Sequence, residues 1–76
     1  MDLDNLIVMA NRIGQFFEAQ PDRDEALAGI AEHVKKFWEP RMRTQILASV
    51  GTPAGAAMSD IVAAALTTYR ATLQPD

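Results

Sequence analysis

The sequence has 76 residues, no cysteine and one histidine, and its formal net charge is −3. This length predicts a single helical domain over residues 1–76, in which disulfides are excluded and one histidine is too few for the usual zinc site. The acidic balance argues against a general nucleic-acid-binding protein, because such proteins are normally basic.

The first residues and the apolar runs bear on localisation. Residues 1–4 contain no basic segment and no continuous apolar segment follows them, so no secretory signal is expected. No apolar run is long enough to cross a membrane. We therefore expect a soluble, cytoplasmic protein that has no membrane partner and gains stability from a partner subunit.

The first predicted helix covers residues 3–19, with Asp2 as its N-cap. Its apolar residues recur at helical spacing and predict one buried face: Leu3, Leu6, Ile7, Ala10, Ile13 and Phe17. Gly14 falls on that face, which predicts the close approach of another backbone. Met9 and Phe16 form a second apolar shoulder, which either widens the core face or contacts a partner.

The second predicted helix covers residues 23–38, and Asp22 with Glu25 forms an acidic version of the capping box at its start. Its inward residues are predicted from their helical spacing: Leu27, Ile30, Ala31, Val34, Phe37 and Trp38. The short connection between the first two helices predicts an antiparallel hairpin.

The third predicted helix covers residues 40–50 and begins at Pro40, which lacks an amide hydrogen and disfavours helical geometry at the preceding residue. Whether the segment 38–40 is a kink or a full turn stays open. Gly51 is the expected C′ residue of this helix. Its inward residues are Met42, Ile46, Leu47 and Val50.

A loop rich in glycine and alanine precedes the fourth predicted helix, over residues 59–72, which Ser59 can cap. Its inner residues are Ile61, Val62, Ala65, Leu66 and Tyr69. The predicted fold is therefore all-α: a small bundle of three to four short helices, with an N-terminal antiparallel hairpin and a bent second half.

No pattern in the sequence indicates catalysis. Ser49, Ser59 and His33 are the candidate nucleophiles and base, and their spacing does not favour a triad. His33 flanks the apolar stripe of the second helix, as a boundary residue would. We expect no catalytic, cofactor-binding or metal-binding residue in this chain, and no enzyme activity of the chain by itself.

The segment 37–43 is the strongest candidate for an interaction site. Residues 35–43 contain four basic residues and one acidic residue, a net charge that suits an acidic patch on a partner. Either Trp38 and Met42 lie in the core, or they contact a partner; we expect Trp38 to be half-buried and both arginines to point outward. Together with the shoulder, the predicted partner-binding residues are Met9, Phe16, Trp38, Arg41, Met42 and Arg43.

The sequence resembles the delta subunit of soluble NAD-dependent formate dehydrogenases, most strongly from Leu6 to Leu47. Three motifs carry the resemblance: Met9-Ala10-Asn11-Arg12-Ile13-Gly14 with Phe16-Phe17, then Ala31 with His33, then Phe37-Trp38 with Pro40-Arg41-Met42-Arg43. The resemblance implies a non-catalytic accessory subunit of a cytoplasmic complex, which binds the large formate-oxidising subunit. Such a subunit stabilises the complex or assists maturation of the subunit that holds the molybdenum or tungsten cofactor.

The resemblance also implies which cofactors belong to partner subunits: a molybdenum or tungsten pterin, iron–sulfur clusters, flavin and NAD. An alternative function, taken from the residues alone, is a free-standing helical regulator that binds nucleic acid through Lys35, Lys36, Arg41 and Arg43. The lack of a basic face elsewhere counts against it. A homodimer formed through the apolar surface is also a candidate state of the isolated chain.

Overall fold

The computed structural model describes residues 2–75, so both ends of the predicted domain, Met1 and Asp76, lie outside the described residues. The helices are α1 (Leu3–Glu18), α2 (Arg23–Phe37), α3 (Pro40–Ser49), α4 (Asp60–Thr68) and α5 (Arg70–Leu73), with a short 3₁₀ turn over Pro53–Gly55. No strand occurs in the described range, and the all-α prediction is confirmed. None of the described helices is long and apolar enough to span a membrane.

The predicted caps of α1 and α2 are confirmed. The Asp2 carboxylate accepts a hydrogen bond from the backbone N–H of Asp4 at 3.1 Å. The Asp22 carboxylate accepts from the N–H groups of Asp24 at 2.9 Å and Glu25 at 3.3 Å. These bonds satisfy amides that have no partner within the first turn of a helix, so the two aspartates set where the helices begin.

A full turn, not a kink, separates α2 from α3. Trp38 and Glu39 are both extended, with ψ angles of 136° and 154°. Pro40 then takes the first position of α3, because its fixed φ suits a helix start and its missing amide costs nothing there. At the other end of α3, Gly51 has a φ of 78°, which confirms the predicted C′ position.

The core lies where α4 packs against both α1 and α2. Its fully buried large side chains come from all five helices: Leu6, Ile30, Val34, Ile46, Val62, Leu66 and Leu73. A Cβ atom on Gly14 would lie 2.7 Å from Val62 Cγ2 and 3.1 Å from Ile61 Cγ2. The close approach predicted at Gly14 is therefore present, although the side chains of α4 make it rather than a backbone.

The last helix of the chain differs from the prediction of one helix over residues 59–72. The backbone leaves helical geometry at Tyr69, with φ −108° and ψ 23°, and α5 begins at Arg70. This break carries Leu73 into the core, and the Arg70 guanidinium donates a hydrogen bond to the Leu47 carbonyl oxygen at 3.2 Å. Leu73 lies just beyond the predicted helix and was not among the predicted inner residues.

Candidate partner-binding surface

The turn after α2 buries two of the predicted partner-binding residues. Trp38 is only 6% exposed, so its predicted half-burial is wrong, and Arg43 is buried where an outward guanidinium was expected. Trp38 lies four residues after Val34 and eight after Ile30, both of which are buried, so the indole continues the buried stripe of α2. The apolar stem of the Arg43 side chain is buried together with most of its guanidinium group.

Arg43 bonds to the C-terminal end of α2. Its Nη1 donates to the Lys35 carbonyl oxygen at 3.1 Å, a carbonyl in the last turn of a helix that ends at Phe37. Carbonyl oxygens in that turn lack intrahelical partners, so the guanidinium supplies one. Its Nε is buried and has no hydrogen-bond partner among residues 2–75.

The other predicted partner-binding residues lie either on the surface or at the edge of the core. Arg41 is exposed, as expected, and makes no hydrogen bond or ion pair with the described part of the chain. Met42 and Met9 are partly buried against the core, so Met9 widens the core face. Phe16 is 73% exposed and is free to contact another protein.

Phe37 is the interaction candidate that the pattern of apolar residues did not reveal. It was predicted to lie inward, and that prediction is wrong, because 69% of the side chain is exposed. Trp38 takes the inward position at the end of α2 and leaves the Phe37 ring outside. The one available signal was position, since periodicity loses its meaning in the last turn before a proline.

Each helix of the hairpin formed by α1 and α2 carries one pair of aromatic rings in contact. The Phe16 and Phe17 rings meet edge to face with their centroids 5.1 Å apart, and the His33 and Phe37 rings lie 4.8 Å apart with a tilt of 47°. A groove of about 360 Å³, the hairpin groove, lies between Phe16, Phe17 and His33, and Phe37 borders it through its contact with His33. Its lining residues are Arg12, Ile13, Phe16, Phe17 and His33.

Gly29 on α2 accommodates the Phe17 ring, which lines the hairpin groove. A Cβ atom at this position would collide with the Phe17 ring, so the ring can lie over the α2 backbone only because residue 29 is a glycine. This packing fixes Phe17, which in turn supports the exposed ring of Phe16 through their edge-to-face contact. The groove is therefore built on rigid helices and not on a loop.

Asn11, on the other side of α1, holds the loop before α4. Its Nδ2 donates to the Ala57 carbonyl oxygen at 3.0 Å, and its Oδ1 accepts from the Ser59 N–H at 2.9 Å. Ser59 occupies the N-cap position as predicted, but its hydroxyl makes no capping hydrogen bond. The side chain that ties down the start of α4 thus comes from α1, a long-range contact that local sequence cannot predict.

We expect the Asn11→Ala variant to lose about 1–2 kcal/mol of unfolding free energy, because both hydrogen bonds to the loop disappear. The matched variant Asn11→Asp keeps an acceptor for the Ser59 N–H and turns the bond to Ala57 into a contact between two acceptor oxygens, which the favourable position of a negative charge at the start of α4 partly offsets. It should lose clearly less. Urea unfolding followed by circular dichroism measures both, and equal losses in the two variants would contradict this role of the Oδ1 atom.

The candidate catalytic side chains each contact other parts of the chain and form no hydrogen bond with one another among residues 2–75. The Ser49 hydroxyl donates to the Ile46 carbonyl oxygen at 2.7 Å, and His33 is half-buried against Phe37. No hydrogen bond in the described range joins His33 to Ser49 or Ser59. The described residues also contain no cluster of three or more histidine or acidic side chains that could hold a metal ion.

Comparison with known proteins bears on the same residues. A family model described as "NADH-dependant formate dehydrogenase delta subunit FdsD" matches residues 5–66, which include α2, α3 and most of α1 and α4. No curated protein and no solved structure matches the chain. The matched range contains the hairpin groove and the buried turn at Trp38, and it spans most of the chain. The chain belongs to the family of formate dehydrogenase delta subunits.

Proposed function

We propose that this chain is a non-catalytic accessory subunit of a cytoplasmic, NAD-dependent formate dehydrogenase and binds the large formate-oxidising subunit. The observation that carries the proposal is the family match over residues 5–66. Two large aromatic side chains on the hairpin, Phe16 and Phe37, support it because they are mostly exposed. Exposed rings on a rigid element are typical of a surface that another protein covers.

The cofactors of such a complex belong to the partner subunits. The chain has no cysteine, so it offers no thiolate for an iron–sulfur cluster or a thiolate-bound metal. Its acidic residues at the starts of α1 and α2 cap those helices. The molybdenum or tungsten pterin, the clusters, the flavin and the NAD site are therefore assigned to other subunits, and this chain contributes contacts.

Contacts with the large subunit are compatible with two roles, and one purification experiment distinguishes them. The chain either stabilises the assembled enzyme or assists maturation of the large subunit. We would purify the complex through a tag on this chain after co-expression with all subunits. A stabilising subunit is recovered in fixed ratio with the cofactor-loaded enzyme, whereas a maturation factor is recovered with large subunit that lacks its pterin cofactor.

Arg41 is the exposed cation of the turn, and we expect Arg41→Glu to weaken co-purification with the large subunit about tenfold while the melting temperature of the isolated chain is unchanged. The physical reason is that reversing a charge at the rim of an interface places like charges opposite an acidic partner patch. Arg23→Glu, an exposed change at the start of α2, is the matched control. Unchanged recovery of the Arg41→Glu variant would remove Arg41 from the interface.

The structure gives less support to the alternative function, a regulator that binds nucleic acid. Of its four proposed cations, Lys35, Lys36 and Arg41 are exposed, but Arg43 is buried and bonded to the end of α2. A buried guanidinium cannot contact phosphate without unfolding the turn. No observation favours nucleic acid over a protein partner.

A further inference from the structure

We propose that the hairpin groove receives an amphipathic helix of the partner subunit, with apolar residues on its inner face and a carboxylate at its edge. The inference rests on the proposed function and names the surface that carries it. It also differs from the sequence-based expectation, which placed the main contact at the turn now seen to be buried.

The exposed apolar area has the size of a binding site for a single element. Phe16 and Phe37 are 73% and 69% exposed. An aromatic side chain buries about 150–250 Å² when it is fully covered, so the two rings together offer roughly 200–350 Å². Phe37 contacts His33 of the groove lining, so both rings border the same groove. An exposed apolar surface of this order on a small protein commonly marks an interaction site.

The shape of the site favours a helix. The lining residues come from two antiparallel helices, with Arg12, Ile13, Phe16 and Phe17 on α1 and His33 on α2. A third helix can lie along such a groove and place residues of its own inner face between the two ridges. The contact of Phe17 with Gly29 holds the groove open before the partner arrives, which lowers the entropic cost of binding.

Charge distinguishes a partner helix from a second copy of this chain. Arg12 is the charged residue of the groove lining, is exposed, and makes no ion pair with residues 2–75. A carboxylate on the occupant complements it. A symmetric dimer would instead place two copies of Arg12 in one small apolar interface, where no carboxylate of the groove lining complements them.

A photo-crosslink tests the occupant directly. We would replace Phe16 by p-benzoylphenylalanine, co-express the chain with the other formate dehydrogenase subunits, irradiate the purified complex and identify the linked peptide by mass spectrometry. The expected result is a peptide of the large subunit with apolar residues at helical spacing and an aspartate or glutamate within a turn. A crosslink to a second copy of this chain, or to a segment without an acidic residue, would overturn the inference.

Binding measurements with the purified large subunit provide the second readout. We expect the double variant Phe16→Ser/Phe37→Ser to bind at least ~30-fold more weakly, as loss of central aromatic anchors usually does, and Arg12→Glu to bind about tenfold more weakly. Val8→Ser is the matched apolar control, since Val8 is 48% exposed on α1 but lies outside the hairpin groove. Arg23→Glu is the matched charge control, and both controls should bind within about threefold of the wild type.

The outcomes separate this inference from the function on which it rests. If the wild-type chain assembles with the large subunit and the double variant assembles equally well, the groove is not the docking site, while the accessory function stands. If the wild-type chain binds no formate dehydrogenase subunit, both fail. Rescue of Arg12→Glu by a lysine at the crosslinked carboxylate of the partner would establish the predicted charge pair.

Discussion

The Trp38→Ala variant is expected to lose about 3–5 kcal/mol of unfolding free energy, because a fully packed indole leaves a cavity that the surrounding side chains cannot fill. A chain of this length has roughly 4–11 kcal/mol in total, so the variant should lose a large share of its stability. Trp38 is 6% exposed and belongs to the core. Urea unfolding followed by circular dichroism measures the loss.

The neighbouring residue provides the control. Phe37→Ala removes a ring of comparable size that is 69% exposed, and it should change the unfolding free energy by no more than ~0.5 kcal/mol. Adjacent aromatic residues at the end of α2 would then differ several-fold in their effect on stability. Equal losses for the two variants would contradict the placement of Trp38 inside and Phe37 outside.

The Arg43→Ala variant is expected to lose about 2–3 kcal/mol, because the buried stem of the side chain and its hydrogen bond to the Lys35 carbonyl oxygen disappear together. Arg43→Met keeps a buried apolar stem and removes a guanidinium whose Nε has no partner in the described chain. Replacing a poorly paired buried charge by an apolar side chain is often neutral, so this variant should lie within ~1 kcal/mol of the wild type.

The same urea experiment separates the two contributions of Arg43. If the methionine variant is as unstable as the alanine variant, the bond to the end of α2, and not the stem, supports the turn. Co-purification with the large subunit gives an independent check. The methionine variant should bind like the wild type, because a buried residue of this chain does not touch the partner.

Local signals predicted the hairpin and its ends. Asp2 and Asp22 cap the two helices as their side chains suggested, and Pro40 and Gly51 mark the start and the end of α3. Each of these residues acts on its own few neighbours. Their effects are therefore visible in the sequence without knowledge of what packs against them.

The candidate site was harder to predict because it depends on contacts between elements. Phe37 and Trp38 were both predicted to lie inward, but only Trp38 is buried, because the indole fills the inner position at the end of α2 and leaves the Phe37 ring exposed. Nothing in the sequence around Gly29 indicates that it accommodates the Phe17 ring. Nothing around Asn11 indicates that its side chain holds the loop before α4. Phe16 was identified as a candidate contact, and its exposure is consistent with that hypothesis.

These observations place the main expected partner contact at the hairpin and leave the exposed Arg41, at the start of α3, as a contact at the rim of the interface. The turn at residues 38–39 is a structural element that buries an indole and lets a guanidinium cap the end of α2. The hairpin groove leaves two phenylalanine rings and one unpaired arginine facing outward in the described chain. A small chain without disulfides gains stability when a partner covers such a surface.

A cryo-electron microscopy structure of the co-expressed formate dehydrogenase complex tests this account most directly. It should show a helix of the large subunit lying in the hairpin groove, with the Phe16 and Phe37 rings covered, a carboxylate beside Arg12, and Trp38 still inside this chain. A complex in which the hairpin groove faces solvent, or in which Trp38 leaves the core to contact the large subunit, would contradict it.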